Sequence, residues 1–160
     1  MRSSLNVELV DLNEAFVAGL AIRTSNKREQ KLGAEGWIAT TWAEARQMSD
    51  PNLPAAIYTG YAGDKDDKFT MVIGFQRKAM DDFKTGEVIT KVPAGRYAKF
   101  TRKGALPSVV FEAWQDVWQA EKEGNLNRAY SADLEIYPGM REGSNEDMTN
   151  LTVELYIAIK

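Results

Sequence analysis

The chain has 160 residues, a hydrophobic share of 44% and neither cysteine nor histidine, a length and composition that suit one domain with a sizeable core. The two missing residue types exclude disulfides, thiolate nucleophiles, Ser-His-Asp triads and histidine-based metal sites, so any chemistry must use carboxylates, Tyr, Lys, Ser or Thr. A net charge of −3 and a pI of about 5.1 provide no electrostatic footprint for duplex DNA, and we expect no direct binding to nucleic acid.

The sequence carries no targeting signal. Residues 1–8 contain no apolar stretch of the kind that secretory signals need, and no run of about 18 apolar residues occurs anywhere. We therefore expect a cytoplasmic protein without a membrane partner.

The first half predicts strands, one helix and a hairpin. Apolar residues at helical spacing indicate the helix, breaker-rich residues 49–54 end it, and a polar turn at 63–68 separates two strands as in a hairpin. The predicted elements are strands 7–12, 16–23, 56–61 and 69–76, a polar loop 24–31 and a helix 34–48.

The second half repeats this order. Its helix has Pro107 in the first turn, where a missing N–H costs little, and a clean apolar stripe that includes Trp114 and Trp118. The predicted elements are strands 87–92, 96–101, 132–137 and 151–159, and a helix 106–122.

Landmarks correspond between the two halves. Trp42 matches Trp114, and Ile57-Tyr58 matches Ile136-Tyr137. A repeat of about 80 residues suggests a duplicated half-domain rather than a solenoid. We expect one α+β domain over 1–160, with pseudo-repeats of about 1–82 and 83–160 and a ligand cleft between them.

Four ordered motifs carry a family resemblance. Residues 92–100, VPAGRYAKF, are followed by the tryptophans of the second helix, by DLEIY at 133–137 and by VELYIAI at 153–159. In this order and spacing they resemble the signature of the GyrI-like effector-binding family. The resemblance implies two βαββ-type halves that form a curved antiparallel sheet with two main helices.

The same resemblance implies a bacterial small-molecule binding protein. Members include the effector-binding halves of AraC-type and multidrug-sensing transcription regulators, a stand-alone inhibitor of DNA gyrase, and relatives that hydrolyse reactive small molecules. Because the motifs of this chain begin almost at Met1, we expect a stand-alone member.

Glu154 is the first candidate site residue. In the last strand it shares a face with Tyr156, opposite Val153, Leu155 and Ile157, and the pattern alone is typical of a solvated strand face. The resemblance instead implies that Glu154 lies in the pocket and faces a cationic ligand. A carboxylate there would act as a charge partner or as a general base.

Aromatic residues are expected to supply the contact area of the pocket, although the pattern alone is more typical of core packing. Glu135 is expected to form a structural ion pair with Arg96 or Lys99. The predicted ligand-binding residues are Glu154, Tyr156, Trp114, Trp118, Tyr97, Tyr137, Tyr58, Phe75 and Trp42.

Three functions remain open on these grounds. The first is a non-catalytic module that binds an amphipathic small molecule, cations included. The second is a hydrolase with Glu154 as base, assisted by Tyr97 or Tyr156. The third is a protein-interaction module that acts on gyrase or on a DNA-bound regulator. We expect no cofactor and no metal, since the acidic turns at 64–67 and 142–147 lack the spacing of an EF-hand loop.

Overall fold

The computed structural model describes residues 7–48, 50–140 and 149–160. Within these ranges no helix is long and apolar enough to cross a bilayer. A 3-10 turn, Gly33–Glu35, joins the first two helices. The elements are β1 Glu8–Leu12, β2 Ala15–Thr24, α1 Asn26–Leu32, α2 Trp37–Ala45, β3 Pro54–Thr59, β4 Phe69–Arg77, β5 Val88–Val92, β6 Gly95–Gly104, α3 Ser108–Lys122, β7 Ala132–Ile136 and β8 Leu151–Ala158.

The eight strands form one curled antiparallel sheet in the order β1-β6-β8-β7-β3-β4-β2-β5. The order is symmetric about its centre, where β7 pairs with β3. Each half of the sheet contains three strands from its own half of the chain. Its edge strand comes from the other half, because β1 pairs with β6 and β5 pairs with β2.

The predicted fold class, α+β with a curved antiparallel sheet, is confirmed. The bounds of every predicted strand and of both main helices agree with the structure within three residues. The predicted polar loop at 24–31 is wrong, because all but the last residue of α1 lies in this range. This helix is capped by the Ser25 hydroxyl, which accepts from the N–H of Arg28 at 3.2 Å, and it buries none of its residues. No apolar periodicity could therefore reveal it. The predicted acidic turn at 142–147 lies outside the described residues.

Both main helices pack on one side of the sheet, which we call the helical face. Helix α2 contacts β2 and β4, whereas α3 contacts β6 and β8. A large apolar cluster fills the space beneath them, and a second, separate cluster covers the opposite face. The helices thus lie over the outer strands of each half, and the central strands β3 and β7 are left beneath the gap between them.

Two glycines bring β2 and β4 into unusually close contact. Gly19 and Gly74 are paired across the two strands. A Cβ on Gly19 would overlap the backbone carbonyl of Ile73, and one on Gly74 would overlap that of Ala18. Only glycine fits at these positions without moving a strand, as is usual where two backbones approach closely.

Candidate ligand-binding cleft

A cleft of about 1220 Å³ opens on the helical face of the sheet, between α2 and α3. Its volume slightly exceeds the upper end of the range typical of small-molecule sites. The central strands supply its floor and the facing sides of the helices its walls. Aromatic and aliphatic lining side chains include Ile38, Trp42, Tyr58, Phe75, Val110, Phe111, Trp114, Trp118, Tyr137 and Met140.

Helix α2 is held in place by a carboxylate from α1. The Glu29 side chain accepts a hydrogen bond from the N–H of Ile38 at 2.7 Å and another from the hydroxyl of Thr24. An acceptor at this point satisfies one of the amides that a helix N-terminus leaves free, and its negative charge is favourable there. The short α1 thereby fixes one wall of the cleft.

Glu135 lies at the inner end of the cleft with no solvent exposure. Its Oε1 accepts hydrogen bonds from the hydroxyl of Tyr58 at 2.7 Å and from the indole N–H of Trp114 at 3.3 Å. Its Oε2 accepts one from the hydroxyl of Tyr137 at 2.6 Å. All three donors are neutral, so they orient the carboxylate without compensating its charge.

Burial raises the pKa of Glu135, and the three hydrogen bonds oppose that rise. Burial and the nearby carboxylate raise the pKa values of Tyr58 and Tyr137 well above the usual value. Both phenols therefore stay protonated and remain donors. A cation brought to Glu135 would favour the ionised carboxylate, since an opposite charge lowers the pKa of an acid.

The aromatic residues around Glu135 form two equivalent pairs. Trp42 of α2 packs edge-on against Tyr137 with ring centroids 5.4 Å apart, and Trp114 of α3 packs against Tyr58 at 4.8 Å. Each pair joins a helix from one half of the chain to a residue in or directly after a central strand of the other half. Glu135 itself breaks the symmetry, because its cross-strand partner on β3 is Ala56.

Two other carboxylates among the described residues are buried, and each has an arginine partner. Asp133 binds Arg128 at 2.9 Å, and Asp50 binds Arg77 at 2.9 Å. No described cation forms an ion pair with Glu135. Since an ionised carboxylate out of water is costly unless it is paired, the cleft contains one buried acid whose charge partner is missing from this part of the chain.

The cleft brings together six of the nine residues predicted from the sequence. One of these six, Trp118, has a buried indole N–H that has no hydrogen-bond partner among the described residues. The six are Trp42, Tyr58, Phe75, Trp114, Trp118 and Tyr137.

The other three predicted residues lie on the opposite face of the sheet. Tyr97 and Tyr156 belong to the second apolar cluster, and the hydroxyl of Tyr97 donates to the Pro93 carbonyl at 2.6 Å. Glu154 sits 3.4 Å from the ammonium of Lys99 and accepts from the hydroxyl of Tyr156 at 3.0 Å. The structure therefore does not place Glu154 in this cleft.

The expected ion pair of Glu135 with Arg96 or Lys99 is wrong. Lys99 lies on the opposite face with Glu154, and Arg96 binds Asp11 at the edge of the sheet. The signal that would have identified Glu135 is strand alternation, because residues two apart on β7 share a face. Once Tyr137 is assigned to the pocket, Glu135 must point the same way.

Comparisons with known proteins agree with this architecture. A family model described as integron-associated effector binding protein matches residues 8–159. The protein YobU of Bacillus subtilis (strain 168), which carries the name of a transcriptional regulator, is 29% identical over 153 residues. The match covers 89% of this chain and 91% of that protein.

Two solved structures resemble the chain over nearly its whole length. An integron cassette protein from the mobile metagenome of Vibrio cholerae is 26% identical with a TM-score of 0.77, covering 96% of this chain and 95% of that one. The structure of SAV2435 bound to tetraphenylphosphonium has a TM-score of 0.67 at 15% identity, covering 98% and 94%. At that identity the second likeness shows the fold alone.

Proposed function

The chain belongs to the family of integron-associated effector-binding proteins, and from this premise we propose that its cleft binds an amphipathic organic cation. The ligand's aromatic or aliphatic body would lie between α2 and α3, and its positive charge would lie against Glu135. The single observation that carries the proposal is the buried carboxylate bound only by neutral donors, whereas Asp50 and Asp133 have arginine partners.

The aromatic walls support the same class of ligand. Trp114, Tyr58 and Tyr137 donate to Glu135 and also line the cleft, so a cation that approaches Glu135 would pass beside their rings. A cation over an aromatic face gains about 0.5–2 kcal/mol, more when water is excluded. The ligand's charge and its apolar body are thus recognised by the same side chains.

Within the family, effector-binding domains sit in regulators, and a relative of similar length carries a regulator's name. We propose that this chain is a regulatory module whose output passes to another protein. Both oxygens of Glu135 accept hydrogen bonds from neutral donors, an arrangement that suits recognition of a ligand's positive charge. Binding without turnover is the function that this geometry favours.

The test compares two ions of equal shape and opposite charge. Isothermal titration at pH 8 with tetraphenylphosphonium and with tetraphenylborate should show binding of the cation and about tenfold or more weaker binding of the anion, because a tenfold ratio needs only about 1.4 kcal/mol. Glu135→Gln should weaken cation binding by about tenfold or more and leave the anion unaffected.

Glu154→Gln is the matched control, since that carboxylate lies on the other face of the sheet. It should bind the cation as the wild type does. Equal affinity for the two ions, or cation binding that depends on Glu154 and not on Glu135, would refute the proposed site.

A further inference from the structure

Arg46 stands out among the charged side chains of the cleft. Four charged residues among those described line the cleft, three acids and one base, and the base is Arg46. Two of the three acids are already engaged. Glu29 caps α2 through the N–H of Ile38, and Asp50 binds Arg77 at 2.9 Å. The charges left for a ligand are therefore one negative, on Glu135, and one positive, on Arg46.

The Arg46 side chain has no partner within the described part of the chain. None of the ion pairs or side-chain hydrogen bonds found there includes Arg46. The residue is exposed and lies at the rim of the cleft. Its backbone N–H bonds to the carbonyl of Trp42 at 2.9 Å, so the residue directly follows the last turn of α2. A guanidinium offers five donors in a fixed fork that matches a carboxylate, a phosphate or a sulfate.

One tyrosine lies between the two free charges. The Tyr137 hydroxyl donates to Glu135 at 2.6 Å, and its ring packs against Trp42 one turn before Arg46. Burial and Glu135 raise the pKa of Tyr137, and the charge of Arg46 acts in the opposite direction. Arg46 and Glu135 therefore both lie close enough to Tyr137 for their charges to act on it, with Arg46 exposed and Glu135 buried.

We propose that Arg46 is a specificity-determining residue that binds an anionic group on the ligand, so that the cleft selects zwitterionic amphiphiles over simple cations. This inference rests on the proposed function, because it assumes that the ligand's cationic end lies at Glu135. A simple cation would meet only repulsion from Arg46 at the rim. A zwitterion would have a partner at each end, because its cationic group would bind the buried Glu135 and its anionic group the solvent-exposed Arg46.

The C-terminus of α2 favours any positive charge, so a cation at this position also has a structural use. A test of Arg46 must therefore measure selectivity and not stability. The ratio of two affinities, for a ligand with and without an anionic group, is a quantity that a purely structural role would leave unchanged.

The probes are butyltriphenylphosphonium and (4-carboxybutyl)triphenylphosphonium, which differ by one carboxylate on a flexible chain. By isothermal titration at low ionic strength and pH 8, the wild type should bind the carboxylated probe about 3- to 10-fold more tightly, the scale of a partly exposed charge-assisted pair. Arg46→Gln should bring this ratio to about one or below, with binding of the simple cation unchanged or slightly stronger.

Two further variants sharpen the comparison. Arg46→Lys should keep part of the preference, because it keeps the charge and loses the fork. Arg96→Gln is the matched control, since it removes an exposed arginine that lies away from the cleft, and it should leave the ratio unchanged. In 0.5 M salt the wild-type preference should shrink, because the screening length between exposed charges is then about 4 Å.

The outcomes separate this inference from the function on which it rests. If both probes bind in a manner that depends on Glu135 but the ratio is the same in wild type and Arg46→Gln, the role of Arg46 is refuted and the cation site stands. A wild-type preference for the uncarboxylated probe would refute it equally. If neither probe binds, the proposed function fails and this inference fails with it.

Discussion

Removal of Arg128 should expose how strongly this fold depends on pairing its buried acids. Arg128 is 3% exposed and Asp133 is fully buried. They are joined at 2.9 Å, and the Arg128 guanidinium also lies 4.2 Å from the centre of the Tyr130 ring. The substitution Arg128→Met keeps an apolar stem of similar length but leaves Asp133 without its cation.

The expected cost follows from the partners that remain. Breaking a buried ion pair from one side typically costs about 3–5 kcal/mol. Asp133 would keep its hydrogen bonds from the hydroxyl of Tyr61 and from the N–H of Ala158, so we expect a loss near the lower end, about 3 kcal/mol. The exposed pair of Arg102 with Asp116 is the control, and Arg102→Met should cost about 0–1 kcal/mol.

Urea unfolding at pH 7, followed by tryptophan fluorescence, measures both variants against the wild type. The double variant Arg128→Met with Asp133→Leu should be less destabilised than the sum of its two single variants, because no charge is then left unpaired. A loss for Arg128→Met that is no larger than for Arg102→Met would refute the view that the pair is needed to compensate Asp133.

Three further outcomes follow from the same contacts. Burial raises the folded-state pKa of Glu135 above its ordinary value of 4.5. The stability that its neutral form contributes is therefore present below pH 4.5 and is lost as pH rises through the folded-state pKa. Urea unfolding should show the wild type losing stability relative to Glu135→Gln over this pH range, and a difference that does not change with pH would contradict this expectation. The affinity for tetraphenylphosphonium should rise with pH through the same pKa in the wild type and should not change with pH in Glu135→Gln. A wild-type affinity that does not depend on pH would count against ionised Glu135 as the partner of the cation. Gly74→Ala should cost about 3 kcal/mol because its Cβ would overlap the Ala18 carbonyl, whereas Gly104→Ala, whose Cβ meets only Val109 at ordinary distance, should cost far less in the same assay.

Strand and helix positions could be predicted because nearly every element buries at least one side. The alternation at the start of β8 and the helical stripe of α3 each indicate a surface that the core removes from water. Helix α1 buries none of its residues, so its sequence has no such apolar pattern. The exchange of β1 and β5 between the halves was not predictable either, since it depends on which edge each strand reaches and not on its own pattern.

The aromatic lining of the cleft was predictable from the sequence, whereas the buried carboxylate in it was not. Trp42, Tyr58, Trp114 and Tyr137 fall on faces that periodicity assigns correctly. The choice between Glu135 and Glu154 depended instead on a family motif, and it ignored what alternation implied for β7. Each glutamate precedes a tyrosine by two residues, so alternation predicts that each shares a face with its own tyrosine. The pairing of β7 with β3 then places Glu135 beneath the gap between the helices.

A crystal structure of the complex with tetraphenylarsonium would locate the ligand's charge relative to Glu135, because arsenic can be located by its anomalous scattering independently of the protein. We expect a single strong arsenic peak on the helical face, between Trp114 and Tyr137 and within about 6 Å of their ring centres, with the Glu135 carboxylate as the nearest negative charge. A peak on the opposite face beside Glu154 and Tyr156, or no ordered peak from crystals grown at saturating ligand, would contradict it.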